Sequence, residues 1–272
     1  VGPVIGVDHP TEPGEVMLFK EAAPVPGLVN TWRVTLRVEA MDVKQTADIV
    51  LVIDRSGSMS GTKLASAKAA AAEFARTLLT PENAALPAND PGKVRVAVVS
   101  FAGDVSTDQQ LTDNQAAVLS AINGINADGG TFTQAGLRTA AGLLNTTADF
   151  KNLVLLSDGE PTYSYSIDYD WRMNTANLIA GGHPAGGYST PTTVPASMFG
   201  TDRVGSGSSI WQRYDNPWFF ENDKYYNHGN SAIAQSRYFK DDGQNKFIYT
   251  IALETEEVGD QVLNGIASGG KA

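Results

Sequence analysis

Asp54, Ser56 and Ser58 stand at alternate positions in a short segment, Asp-Arg-Ser-Gly-Ser, between an apolar run and an alanine-rich stretch. Oxygen-bearing side chains at that spacing converge if the backbone turns sharply, and Gly57 and Gly61 permit the turn. Ligands that offer only oxygen select a hard divalent cation: Mg²⁺, Mn²⁺ or Ca²⁺. Two further segments can complete a shell. Asp128-Gly129-Gly130-Thr131 precedes a predicted helix, and Ser157-Asp158-Gly159-Glu160-Pro161 closes a second apolar run. Each also has a plainer reading, because serine and aspartate cap helices and Asp158-Gly159 suits an ordinary turn. Agreement among three separated segments favours the cation.

Such segments need rigid elements to hold them. Ala47–Asp54 (ADIVLVID), Val94–Phe101 (VRVAVVSF) and Leu153–Ser157 are near-continuous apolar runs of strand length, the pattern of strands buried on both faces, and Phe247–Leu253 (FIYTIAL) reads as a further strand. Between and after them, 63–79, 114–122, 133–144, 231–240 and 258–267 read as helices, and in the first Leu64, Phe74 and Leu78 are spaced to face a core. Buried strands alternating with helices predict an α/β fold, a doubly wound, mostly parallel sheet flanked by helices with right-handed crossovers. Ligands bind such sheets at the carboxyl ends of the strands, where Asp54 and Asp158 fall.

Residues 1–45 read as an extended lead-in from a flanking module. Pro3, Pro10, Pro13, Pro24 and Pro26 oppose a helix, Glu15–Lys20 is strand-like, and Trp32–Glu39 alternates as a strand with one wet face. Residues 46–272 form the main domain, interrupted at about 163–229 by a Gly-, Ser- and Thr-rich stretch that holds most of the chain's aromatics. Disordered segments are poor in aromatics, so the stretch is expected to be ordered. Its rings either build a small core or present a binding surface, with Tyr163, Tyr165, Trp171, Trp211 and Trp218 as the candidate contacts. His9, His183 and His228 are scattered and read as surface residues.

The 272 residues carry a net charge of −10 and no cysteine. The charge disfavours nucleic acid as a partner, and the missing thiols exclude cysteine nucleophiles, thiolate metal sites and disulfides. No apolar stretch reaches transmembrane length, and the first residues lack signal-peptide character.

Taken in order, the three oxygen-bearing segments resemble a von Willebrand factor A domain with a metal-ion-dependent adhesion site, over about residues 46–160 and again from about 230 to 272. The resemblance implies the Rossmann-like fold of that family. It also implies direct metal contacts from Ser56, Ser58 and Thr131, with Asp54 and Asp158 acting through water. Mg²⁺ is the first expectation, with Mn²⁺ or Ca²⁺ as alternatives. A cation held by neutral hydroxyls keeps an open position for a partner's carboxylate, which makes a binding module rather than an enzyme. The insertion and the wording VIDRSGSM…SDGEPT look most similar to the tip adhesins of Gram-positive sortase-assembled pili. That likeness implies a module on the cell wall or pilus surface. It would engage a host surface protein, matrix protein or glycan, and would join pilus shaft subunits through parts outside this sequence. An intracellular scaffold of the chelatase type is the alternative. A metal-assisted hydrolase is disfavoured because neither His nor Lys is read as near the motifs.

Overall fold

The computed structural model describes residues 15–41, 43–184, 186–214, 223–240 and 245–269. The chain divides into two compact units, Val1–Gln45 and Thr46–Ala272. In the first, β1 (Val16–Pro24) pairs antiparallel with β2 (Trp32–Ala40), Val16 opposite Ala40 and Pro24 opposite Trp32. β1 runs four residues beyond the predicted end, and Pro24, which has no N–H to donate, falls at its last position. The period of two puts Leu18, Val34, Leu36 and Val38 on one face, where all four are exposed. On the other face the Arg37 guanidinium lies 4.2 Å over the Phe19 ring.

The second unit is built on one five-stranded sheet. Its elements in chain order are β3 (Ala47–Asp54), α1 (Thr62–Leu78), α2 (Pro81–Ala85), β4 (Val94–Phe101), β5 (Val105–Thr112), α3 (Gln115–Gly124), α4 (Thr133–Leu143) and β6 (Phe150–Ser157). Beyond the insertion come α6 (His228–Lys240), β13 (Lys246–Ala252) and α7 (Glu257–Ile266). The strand order is β13-β6-β3-β4-β5, parallel except for β5, which runs antiparallel to β4 at the edge. The expected doubly wound, mostly parallel architecture is present. β5 escaped prediction because its sequence, VSTDQQLT, is mostly polar and an edge strand has little core to face. α2 escaped as well; it is one short turn capped by Thr80, whose hydroxyl accepts the Asn83 N–H.

Helices cover both faces of the sheet except at its β13 edge, where Phe247, Tyr249 and Ile251 stay exposed on one face. On one, Val50, Val52, Val99, Phe101, Leu155 and Ile248 pack under α4, α6 and α7. On the other, Ile49, Leu51, Ile53, Val96, Val98 and Leu156 pack under α1 and α3. α1 meets the sheet through Ala67, Ala71 and Ala75 rather than through bulk. Its Phe74 was expected in the core but is 36% exposed, because the small-residue face brings the helix close and turns residue 74 outward. Among the described residues no helix is long and apolar enough to cross a membrane.

The described residues of the insertion form β7 (Ser164–Ile167), α5 (Tyr169–Met173), β8 (Ile179–Ala180), β9 (Tyr188–Ser189), β10 (Phe199–Val204), β11 (Trp211–Arg213) and β12 (Lys224–Asn227). β7 pairs with β10, and β11-β12-β9-β8 form a separate small sheet. Ile167, Leu178, Val194, Phe199, Tyr214 and Tyr226 bury one another and rest on Ala234 of α6. The insertion's entry and exit meet: Ser164 Oγ lies 2.8 Å from His228 Nδ1, both fully buried. His228 is therefore a core residue and not the surface residue expected; His183 is half-buried and stacks on Tyr225 at 3.6 Å. His9 lies outside the described residues.

Candidate metal centre

β3 drives an apolar run through the middle of the sheet and delivers Asp54, fully buried, at its carboxyl end. Asp54 Oδ1 accepts the Ser56 N–H at 2.8 Å, which folds the chain back, and Oδ2 accepts the Ser157 hydroxyl at 2.6 Å. The turn sets the Ser56 and Ser58 hydroxyls 3.1 Å apart. Ser58 Oγ donates to Asp158 Oδ1 at 3.1 Å, and Lys63 Nζ at the start of α1 donates to Asp158 Oδ2 at 3.0 Å. Side chains of Asp54, Ser56, Ser58 and Asp158 thus form one connected cluster.

The loop that carries Thr131 is tied by its backbone to the first segment. The Gly57 N–H donates to Gly129 O at 2.8 Å and the Asp128 N–H to Arg55 O at 2.7 Å, stitching the second segment to the first. Thr131 is buried; its N–H donates to Thr162 Oγ1 and its carbonyl accepts from Thr162 and Tyr163. Gly129 holds φ +62° and Gly159 holds φ +104°, backbone states that side-chain-bearing residues rarely adopt. A Cβ at Gly159 would also meet Gly259 Cα at 2.6 Å, so α7 closes against the third segment.

Burial pushes the Asp54 carboxyl up to about 6; hydrogen bonds from Ser157 and Ser56 act against that rise, and the Asp158 charge adds to it. The donor set suits a hard cation. Octahedral Mg²⁺ with oxygens at about 2.1 Å needs adjacent ligands roughly 2.9 Å apart, close to the 3.1 Å between the two serine hydroxyls. Among the described residues no three His, Asp or Glu side chains gather as a metal cluster.

The candidate contact aromatics divide. Tyr163 packs against Gly130, Gly205 and Gly207 beside the second segment, with the Arg203 guanidinium 4.3 Å over its ring. Tyr165 lies 4.8 Å from the Phe132 ring and 3.7 Å beneath Arg138. Trp171 packs on the insertion's own core, and Trp211 packs on the α4–α6–α7 side with its edge to His183. Trp218 lies outside the described residues. Sequence reasoning missed two participants. Ser157 adjoins Asp158 and carries the hydroxyl that fixes Asp54; its position at the end of an apolar strand was the available signal. Lys63 lies five positions after Ser58, so a lysine does stand near the motif, contrary to the expectation.

Residues 49–160, which supply the central strand of the buried sheet and this hydroxyl–carboxylate cluster, match the von Willebrand factor type A domain. The chain is 27% identical, over 91% of its length, to the minor fimbrium subunit Mfa5 of Porphyromonas gingivalis, of which it spans 23%. The crystal structure of three N-terminal domains of that type V pili tip protein superposes with a TM-score of 0.72 at 24% identity, over 95% of this chain and 53% of the other. The pilus adhesin SpaC of Lactobacillus rhamnosus GG, in its open conformation, superposes with a TM-score of 0.63 at 22% identity, over 93% of this chain and 30% of that one. At these identities the structural likeness is one of fold.

Proposed function

We propose that this chain is an adhesion module of a pilus tip protein, displayed outside the cell, which grips its partner through a divalent cation. Ser56, Ser58 and Thr131 would hold the ion, Mg²⁺ first and Mn²⁺ or Ca²⁺ as alternatives, and Asp54 and Asp158 would orient those hydroxyls. The cation would supply a positive centre with room for a carboxylate from a host surface protein, matrix protein or glycan. Attachment to shaft subunits would fall to parts of a longer protein. The observation that carries the reading is the 3.1 Å approach of the Ser56 and Ser58 hydroxyls, with Asp158 drawn onto Ser58 from 100 residues away. Neutral hydroxyls leave most of the ion's charge unspent, which favours capture of an outside anion over activation of water. The similarity to pilus tip proteins supports the setting.

Isothermal titration calorimetry with Mn²⁺ and Mg²⁺ tests the site. One ion per chain is expected, with uptake lost in Asp54→Ala and weakened at least tenfold in Ser58→Ala. Binding to immobilised matrix proteins should vanish with EDTA and return with Mg²⁺. Equal binding with and without the chelator would remove the ion from the mechanism.

A further inference from the structure

Lys63 is the positive group that touches the candidate site. It sits in the first turn of α1, where a cation gains nothing from the helix dipole, which favours anions there. Its side chain is only 21% exposed, and Asp158, its partner at 3.0 Å, is 7% exposed. Ser58 holds the other oxygen of Asp158 at 3.1 Å, so both carboxylate oxygens are engaged. The neighbouring arginine is occupied elsewhere: Arg55 is paired with Asp104 at 2.6 Å.

We propose that Lys63 is a counter-cation built into the site, which competes with the divalent ion for Asp158 and thereby sets how tightly that ion is held. The inference rests on the cation reading above. Its basis is a charge tally. Asp54 and Asp158 contribute two negative charges in contact with the serine turn, and Lys63 offsets one. A divalent ion entering beside the ammonium meets one positive charge at close range. Removing that charge strengthens ion binding, by roughly tenfold for an interaction screened almost as in water. Without a divalent ion the same lysine neutralises a carboxylate that is nearly buried, and its removal there is destabilising. The two effects have opposite sign, whereas a lysine that merely tethers α1 would give neither opposition nor a change in ion affinity.

The experiment compares wild type, Lys63→Met and Lys63→Arg by Mn²⁺ calorimetry and by thermal unfolding in EDTA and in saturating Mn²⁺. Lys63→Met is expected to bind Mn²⁺ about tenfold more tightly. It should unfold at lower temperature than wild type in EDTA, with the deficit closed or reversed in Mn²⁺. Lys63→Arg should track wild type. Unchanged Mn²⁺ affinity in Lys63→Met, or the same thermal deficit with and without the ion, overturns the role of Lys63 while leaving the cation site standing. Mn²⁺ uptake by Lys63→Met but not by wild type supports it in its strongest form. Absence of uptake in every variant overturns both this inference and the proposed function.

Discussion

His228 carries a proton-linked cost that the sequence conceals. Desolvation pushes its imidazole down to about 4, and among the described residues Nε2 has no hydrogen-bond partner. The unfolded chain, with an ordinary histidine near 6.5, takes up the proton first as pH falls. Stability from this residue is therefore complete above about pH 6.5 and is lost progressively toward pH 4, by about 3 kcal/mol in all. Urea denaturation at pH 7.5 and pH 5 should show that His228→Gln loses about 2 kcal/mol less on acidification than wild type; equal losses would place the proton elsewhere. At this scale legibility was uneven. The oxygen-bearing residues of the candidate site could be read because their kind and spacing signal themselves locally. Lys63 and His228 could not: their roles depend on Asp158 and Ser164, 95 and 64 positions away.

Among the elements, α4 shows how closely the layers fit. A Cβ on Gly136 would stand 2.7 Å from Phe101 Cδ1 and 3.3 Å from Val52 Cγ1, so the missing side chain lets the helix rest directly on β3 and β4. Gly136→Ala trades better helix propensity against that clash. The clash is expected to win, with a net loss of about 1–3 kcal/mol in the urea midpoint. Because α4 begins two residues after Thr131, Mn²⁺ affinity should fall as well, and an unchanged midpoint would show that the helix can shift freely. Continuous apolar runs announced β3, β4 and β6. β5 and Phe74 of α1 were misjudged for a shared reason. Periodicity reports what a strand or helix could bury; it records neither the edge position of β5 nor that α1 packs on the sheet through its alanines rather than through Phe74.

For the whole molecule, the separation at Gln45 and Thr46 is the largest organisational fact. The second unit contains its own sheet with a core on each face, while the described part of the first is a two-stranded hairpin, a size that is marginal in isolation. Residues 46–272 expressed alone should keep the far-ultraviolet spectrum of an α/β protein and unfold within about 4 °C of the full chain, a shift worth no more than about 1–2 kcal/mol for this length. A larger drop in differential scanning calorimetry would mean that the hairpin shares the core. The alternating fold was legible because parallel strands must be apolar throughout. The internal arrangement of 163–229 was not, since its short strands pair in an order that no local pattern encodes.

The closure of Ser164 onto His228 has a consequence for how such proteins diversify. A detour whose two ends touch is topologically a loop however long it grows, and the entropy of closing a loop rises only with the logarithm of its length. The scaffold can thus exchange this cassette for a shorter, longer or differently decorated one without re-registering a single strand of the main sheet.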